Sequence, residues 1–330
     1  MNQNKHILIC LLILIIIIPV NKTSAQDIHF SQFYAAPLYL SPSFAGSVNG
    51  GRLSANYRNQ WPEIPNAFVT YALAYDQYFP DLKSGIGLLF TRDQKGELNY
   101  HTSNIGLVYT YDIIINRYNH FRPGLEFQYS YAGIDRSKMI TRDMIQLRTN
   151  SPMETVVRET SGYFDANFSV LFYNKTTWAG ITITHLMRPN NNFGEKEKLP
   201  LGYSIFSGIK IINKGRLIKP KPENLSLAFN YRKLSNFSQL NIGMLGNKKN
   251  INLGLWYRKI PFLKKNSGSD AVIITLGYDY TVFNIGFSYD ITISGLKKYT
   301  NGAMELALSF IFPENNVSRK KQVALPCPVF

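Results

Sequence analysis

Between Arg52 and Trp61 the chain alternates with period two. Leu53, Ala55, Tyr57 and Trp61 fall on one parity, and Arg52, Ser54, Asn56, Arg58 and Gln60 on the other. That pattern puts an apolar and a polar face on opposite sides of a β-strand. The split recurs downstream: Leu107, Tyr109 and Tyr111 oppose Gly106, Thr110 and Asp112, while Leu125, Phe127, Tyr129 and Tyr131 oppose Glu126, Gln128 and Ser130. Phe164, Ala166, Phe168, Val170 and Phe172 oppose Asp165, Asn167 and Ser169, and Leu225, Leu227, Phe229 and Tyr231 oppose Asn224, Ser226, Asn230 and Arg232. A last segment sets Met304, Leu306, Leu308, Phe310 and Phe312 against Glu305, Ala307 and Ser309.

There are about fourteen such segments of about 9 to 12 residues, the length a tilted strand needs to cross a bilayer. Arg52, Arg58, Asp76, Asp93, Asp112, Glu126, Asp165, Lys210, Arg232, Arg258, Asp279, Asp290 and Glu305 all lie on the face without the Leu and Phe. A soluble sandwich or a β-solenoid also alternates, but strands of many lengths would serve either one. The pattern therefore predicts an all-β fold over residues 51–312: a closed, antiparallel, up-and-down transmembrane β-barrel. Closure leaves no backbone group orphaned in hydrocarbon.

Connection lengths give an independent test, because outer-membrane barrels have short periplasmic turns and longer outer loops. With the N-terminus placed in the periplasm, short connections fall at Pro80 to Lys83, Ile115 to His120, Asn174-Lys175, Gly246 to Lys249 and near Tyr280-Thr281. Long ones fall on the other side, from Ala132 to Ser161, Leu186 to Pro200, Arg258 to Ser269 and Thr292 to Asn301. The lysine-rich link from Asn213 to Glu223 is the main exception. An even strand number returns the C-terminus to the periplasm. Trp61 and Trp178, near strand ends, fit an interfacial aromatic girdle.

Ahead of the barrel, residues 1–25 read as a signal peptide: Lys5, an apolar run from Ile7 to Val20, and Thr23-Ser24-Ala25 before Gln26. Residues 26–50 form an N-terminal segment and residues 313–330 a basic periplasmic tail. The stretch from Asp27 to Gly46 is too aromatic for a linker, yet Pro37 and Pro42 interrupt any helix or central strand. A barrel offers it a place in the lumen or at the periplasmic mouth. Phe30, Phe33 and Tyr34 have i, i+3, i+4 spacing, which predicts a short helical turn capped by Asp27 and ended by Pro37. Phe30, Phe33, Tyr34, Pro37, Leu38, Pro42, Phe44 and Gly46 are the candidate plug or partner-binding residues.

Removing Lys5 and Lys22 with the signal leaves 34 of the 36 basic residues against 21 acidic ones, a net charge of +13. The surplus gathers in connections, at Lys214, Arg216, Lys219 and Lys221, at Lys248 and Lys249, and at Arg319, Lys320 and Lys321. Those rims suit phosphorylated lipid headgroups, including lipopolysaccharide, or an acidic partner, whereas nucleic acid does not suit an exported chain. One cysteine, Cys327, remains after processing, so no internal disulfide framework exists. It is either an idle thiol or a cross-link to another periplasmic protein. His29, His101, His120 and His185 lack metal-ligand spacing, and no cofactor motif is present. A lipid-cleaving pair of His185 with Ser169 or Ser204 has nothing in the spacing to favour it. Asp76 and Asp112 either line an ion path or bridge to basic neighbours across the lumen.

Phe30-Ser-Gln32, Pro37-Leu38 and Pro42 to Gly46, then Tyr57-Arg-Asn-Gln-Trp-Pro62, resemble the PorP/SprF family of outer-membrane proteins of type IX secretion in Bacteroidota. His185-Leu186 with Pro189-Asn190, Tyr289-Asp290 and Gly302-Ala-Met-Glu305 are also similar, while Ser41 stands where an asparagine is usual. The resemblance implies a non-enzymatic barrel that supports secretion or surface attachment of a large adhesin, bound through the adhesin's C-terminal domain. It also implies contacts with periplasmic secretion or motor components. A small-solute pore or transporter is the alternative.

Overall fold

The computed structural model describes residues 27–48, 50–64, 67–96, 99–135, 144, 160–190, 198–214, 223–259, 271–293 and 301–312. The expected signal peptide, most of the 132–161 and 213–223 connections, and the tail with Cys327 lie outside them.

Fourteen long antiparallel strands form one closed sheet. They are β1 (Gly51–Gln60), β2 (Phe68–Phe79), β3 (Ser84–Lys95), β4 (Tyr100–Tyr111), β6 (His120–Gly133), β7 (Thr160–Tyr173) and β8 (Thr177–Thr184), then β9 (Gly202–Lys214), β10 (Glu223–Leu234), β11 (Phe237–Lys248), β12 (Ile251–Lys259), β13 (Ala271–Tyr280), β14 (Phe283–Thr292) and β15 (Ala303–Phe312). The two-residue β5 (Ile113–Ile114) prolongs β4 beyond Asp112 along the same neighbour, β6. The fourteen long strands pair in chain order, and β1 closes on β15 with Gly51 opposite Phe312 and Gln60 opposite Ala303.

Burial is inverted relative to a soluble protein. Arg52 and Arg58 are 1 % and 3 % exposed, whereas Leu53 between them is 38 % exposed. The outer wall carries Leu73, Phe90, Leu107, Phe127, Leu253 and Leu276, an apolar band that only lipid can cover. One end of the barrel holds the turns at 80–83, 174–176, 249–250 and 281–282, the other the connections at 134–159, 185–201, 260–270 and 293–302. Gly51 and Phe312 lie at the short-turn end.

The lumen is a packed core as well as a polar one. Leu171, Tyr173, Trp178, Phe206, Trp256 and Ile273 point inward and form one cluster with Phe33, Tyr34, Leu40 and Phe44. Trp178, expected in the interfacial girdle, is therefore corrected. It is buried inside the barrel because the apolar N-terminal segment, rather than lipid, covers it.

Candidate functional site

The lumen-facing side of the sheet and the segment from Asp27 to Ser47 constitute the site. The predicted helical turn does not form as expected. Phe33–Ala35 is a 3-10 turn whose N-cap, Gln32, makes no side-chain capping bond. Pro37 opens the one-turn α-helix Pro37–Leu40 rather than ending one, since its fixed φ and missing N–H suit a first helical position. A second 3-10 turn, Pro42–Phe44, follows in the same way. Asp27 caps nothing and instead binds a histidine on the barrel wall.

The segment is fastened at four levels. At the long-loop end the Asp27 carboxylate lies 3.2 Å from His185 Nε2, and His185 Nδ1 lies 2.5 Å from Asp165. His185 has φ +60°, a left-handed conformation, and its N–H donates to Asn167 Oδ1 at 3.1 Å. Arg232 donates to the Ile28 carbonyl at 2.8 Å, and the Tyr39 hydroxyl donates to the same oxygen at 2.7 Å.

Below this, the Ser31 and Gln32 N–H groups donate to the two oxygens of Glu305 at 2.7 and 3.1 Å. Asp290 accepts from Ser31 Oγ at 2.7 Å, from Arg58 at 2.9 Å and from Arg258 at 2.7 Å. Arg58 also reaches Glu305 at 3.3 Å. Two arginines and two carboxylates, all nearly waterless, thus close around the Phe-Ser-Gln stretch, so each charge has its partner where desolvation would otherwise be costly.

The third level is aromatic. Phe33 meets Trp256 edge-on at 5.1 Å and Tyr34 stacks on it at 5.3 Å, while the Tyr34 hydroxyl donates to Thr275 at 3.2 Å. Phe44 packs on Phe206 at 5.5 Å.

At the short-turn end the Gly46 N–H donates to Asp76 at 2.7 Å, and Arg52 grips the same carboxylate at 2.9 and 3.0 Å. Arg122 donates to the Ala45 and Gly46 carbonyls. Thr110 donates to the Pro42 carbonyl at 2.8 Å, and Ser43 pairs with Ser169 at 2.6 Å. The strands make room by lacking side chains. A Cβ on Gly85 would lie 2.0 Å from the Ala45 oxygen, and one on Gly124 would lie 2.5 Å from the Ser43 nitrogen.

All eight candidate residues thus lie within the barrel: Phe30, Phe33, Tyr34, Leu38 and Phe44 pack in its apolar clusters, and Pro37, Pro42 and Gly46 are buried beside them. Arg122 and Trp256 were not singled out from sequence. Trp256 carried a usable signal, because it interrupts the polar parity of β12, between the lipid-facing Leu255 and Tyr257. Asp76 and Asp112 bridge to Arg52 and His120 respectively. Neither candidate serine meets His185: Ser169 is held by Ser43, Ser204 donates to Asn230, and both imidazole nitrogens face carboxylates. Among the described residues no group of three or more His, Cys, Asp or Glu could hold a metal ion.

Burial works against a charge on His185, but Asp27 and Asp165 outweigh it and raise its pKa to about 10. Burial likewise opposes ionisation of Asp27, and His185 outweighs it, holding the carboxyl below its ordinary 3.8. Nearby His29 goes the other way: burial and the Arg58 and Arg258 guanidiniums hold it neutral. The raised His185 pKa contributes stability that is complete below about 6.5 and disappears as pH rises through about 10. The lowered Asp27 pKa contributes stability present above 3.8 and lost as pH falls through its folded value. The clamp should therefore be strongest between about pH 4 and about pH 6.5 and weaken progressively as pH rises toward about 10. Hydrogen-exchange protection factors of the Ile28 and His29 amides should stay flat from about pH 4 to about pH 6.5 and then decline steadily toward pH 10; protection that stays flat through pH 10 would show that the histidine does not hold the segment.

Cavities of about 120 Å³ and 320 Å³ flank Asp27 at the long-loop end, the larger lined by His29, Arg58, Trp61, Phe68 and Lys95. Both abut the segment itself.

Solved structures share the fold. The "CymD monoaromatic hydrocarbon channel" superposes with a TM-score of 0.52 at 11 % identity, covering 89 % of this chain and 96 % of that one. The Ralstonia pickettii toluene transporter TbuX gives 0.52 at 9 % identity, covering 88 % and 96 %. At such identities the likeness concerns the barrel alone. No curated protein sequence matches the chain. The profile described as "Type IX secretion system membrane protein PorP/SprF" matches residues 22–310, a span that takes in both the luminal segment and nearly the whole barrel. The chain belongs to the PorP/SprF family of type IX secretion system membrane proteins.

Proposed function

We propose that this chain is a non-enzymatic outer-membrane barrel of the type IX secretion and gliding machinery. In this reading it supports secretion or surface attachment of a large adhesin by binding that adhesin's C-terminal domain, and it contacts the periplasmic motor ring. The observation that carries the proposal is the family match over residues 22–310. The occupied lumen agrees with it: a barrel filled by its own chain has its rims and connections left for partners. The basic turn at Lys248-Lys249 suits the acidic headgroups of the surrounding leaflet.

Co-purification from the native membrane tests this directly. The adhesin's C-terminal domain should be retained on the intact barrel, and a deletion strain should lose adhesin secretion or surface attachment. A deletion strain with unchanged secretion and attachment would remove the proposal.

A further inference from the structure

The ends of the luminal segment lie at opposite ends of the barrel. Asp27 meets His185, which follows the last residue of β8 at the long-loop end. Ser31 and Gln32 meet Glu305, near the start of β15, and Asp290, near the end of β14, in the same half. The short helix then doubles the chain back enough for Tyr39 to reach the Ile28 carbonyl. Beyond it, Pro42 meets Thr110 close to the end of β4, and Gly46 meets Asp76 and Arg122 at the short-turn end, where Gly51 begins β1.

We infer that the segment runs through the lumen from the outer mouth to the inner one, so that removal of residues 1–25 leaves the new amino end on the cell's outer face, clamped by Asp27, His185 and Asp165. The inference rests on the proposed outer-membrane reading, in which the long-loop end is the outer one. It reverses the expectation of a periplasmic N-terminus, which follows only if residues 26–50 stop short of crossing the barrel.

The two ends are held differently. The inner end is covalently continuous with β1 and enclosed by Arg52, Asp76 and Arg122. The outer end is held by side chains alone, and the Asp27 carboxylate is still about one-third exposed. Anything fused ahead of Asp27 is therefore carried outward at the long-loop end rather than into the periplasm.

The experiment places one epitope at three positions in separate strains: between Gln26 and Asp27, within the 134–159 connection, and after Phe330. Antibody binding is compared on intact and permeabilised cells. The first two epitopes should label equally in both, the third only after permeabilisation. An N-terminal epitope silent on intact cells whose loop epitope labels overturns the threading and leaves the barrel's orientation standing. A loop epitope silent on intact cells, with the C-terminal one exposed, overturns the orientation and the inference with it.

Because an insertion beside the clamp can hinder assembly, the same question is put to an epitope-free Gln26→Ala chain with a membrane-impermeant amine reagent. Modification of the N-terminal α-amine on intact cells, seen by mass spectrometry of the first peptide, is expected. Modification only after lysis overturns the inference.

Discussion

Replacing Gly85 by valine is expected to unseat the luminal segment and turn a closed barrel into a conducting one. The Cβ would lie 2.0 Å from the Ala45 oxygen and 2.5 Å from its carbonyl carbon, so backbone meets backbone and no rotamer relieves the clash. Overpacking of about one side chain already costs about 1–3 kcal/mol where neighbours can adjust. Displacing Ala45 also removes the Arg122 contact and the Gly46 bond to Asp76, and Gly46, with φ +62°, has little freedom to compensate. In planar bilayers the native chain should show almost no steady current, Gly85→Val should show frequent openings, and deletion of residues 28–46 a stable open level. A heat-modifiable, correctly assembled Gly85→Val barrel that stays closed would refute the assignment of these residues as a plug. Steady current through the native barrel would instead favour the small-solute pore.

A second large effect is expected from Asp290→Ala. This carboxylate accepts from Arg58, Arg258 and Ser31, all buried. Its loss leaves two guanidiniums sharing Glu305 and a serine, and breaking a buried ion pair from one side typically costs about 3–5 kcal/mol. The temperature at which the folded barrel loses its anomalous migration in detergent gels should fall steeply. Asp290→Asn, which keeps the shape and one acceptor, should fall less. Equal behaviour of the two variants would mean that the charge network is incidental to stability.

Strands, closure and facing were legible because a bilayer imposes one rule on every strand: apolar out, whatever the parity. Arg52 against Leu53 and Glu305 against Leu306 follow it without exception. What the alternation cannot convey is the content of the lumen. Inward positions are free to be polar or apolar, and the choice is made by whatever fills the barrel. Leu89, Val108, Leu171, Phe206, Trp256 and Ile273 stand on the polar parity of their strands because Leu38, Tyr34, Phe33 and Phe44 cover them. A water-filled channel gives no reason for tryptophan there. Trp178 belongs with them: its place near a strand end suits an interfacial girdle, but its parity turns it into the lumen, where the N-terminal segment covers it.

The luminal segment was legible as something packed, from its aromatic content. Its conformation was not. A proline reads as a helix breaker, yet Pro37 opens a helix, and Asp27, whose spacing suits a cap, finds its partner 158 residues away. Such long-range pairings leave no local trace, and neither does the use of Arg122 to hold two carbonyls. Gly85 and Gly124 read as ordinary strand glycines until the backbone they admit is in view.

The seam where β1 meets β15 gives the luminal segment a role in assembly. The bonds from Gln32 to Glu305 join residues 273 positions apart, and the segment that makes them leads directly into the first strand. Once the first and last strands have zipped together, a chain already enclosed has no lateral way in. A segment laid across the nascent curved sheet before the ends meet would present the Ser31 and Gln32 amides to the incoming β15, as a mandrel around which the sheet is rolled. Variants that weaken the packing at Trp256 should accordingly slow barrel closure, in addition to loosening the finished barrel.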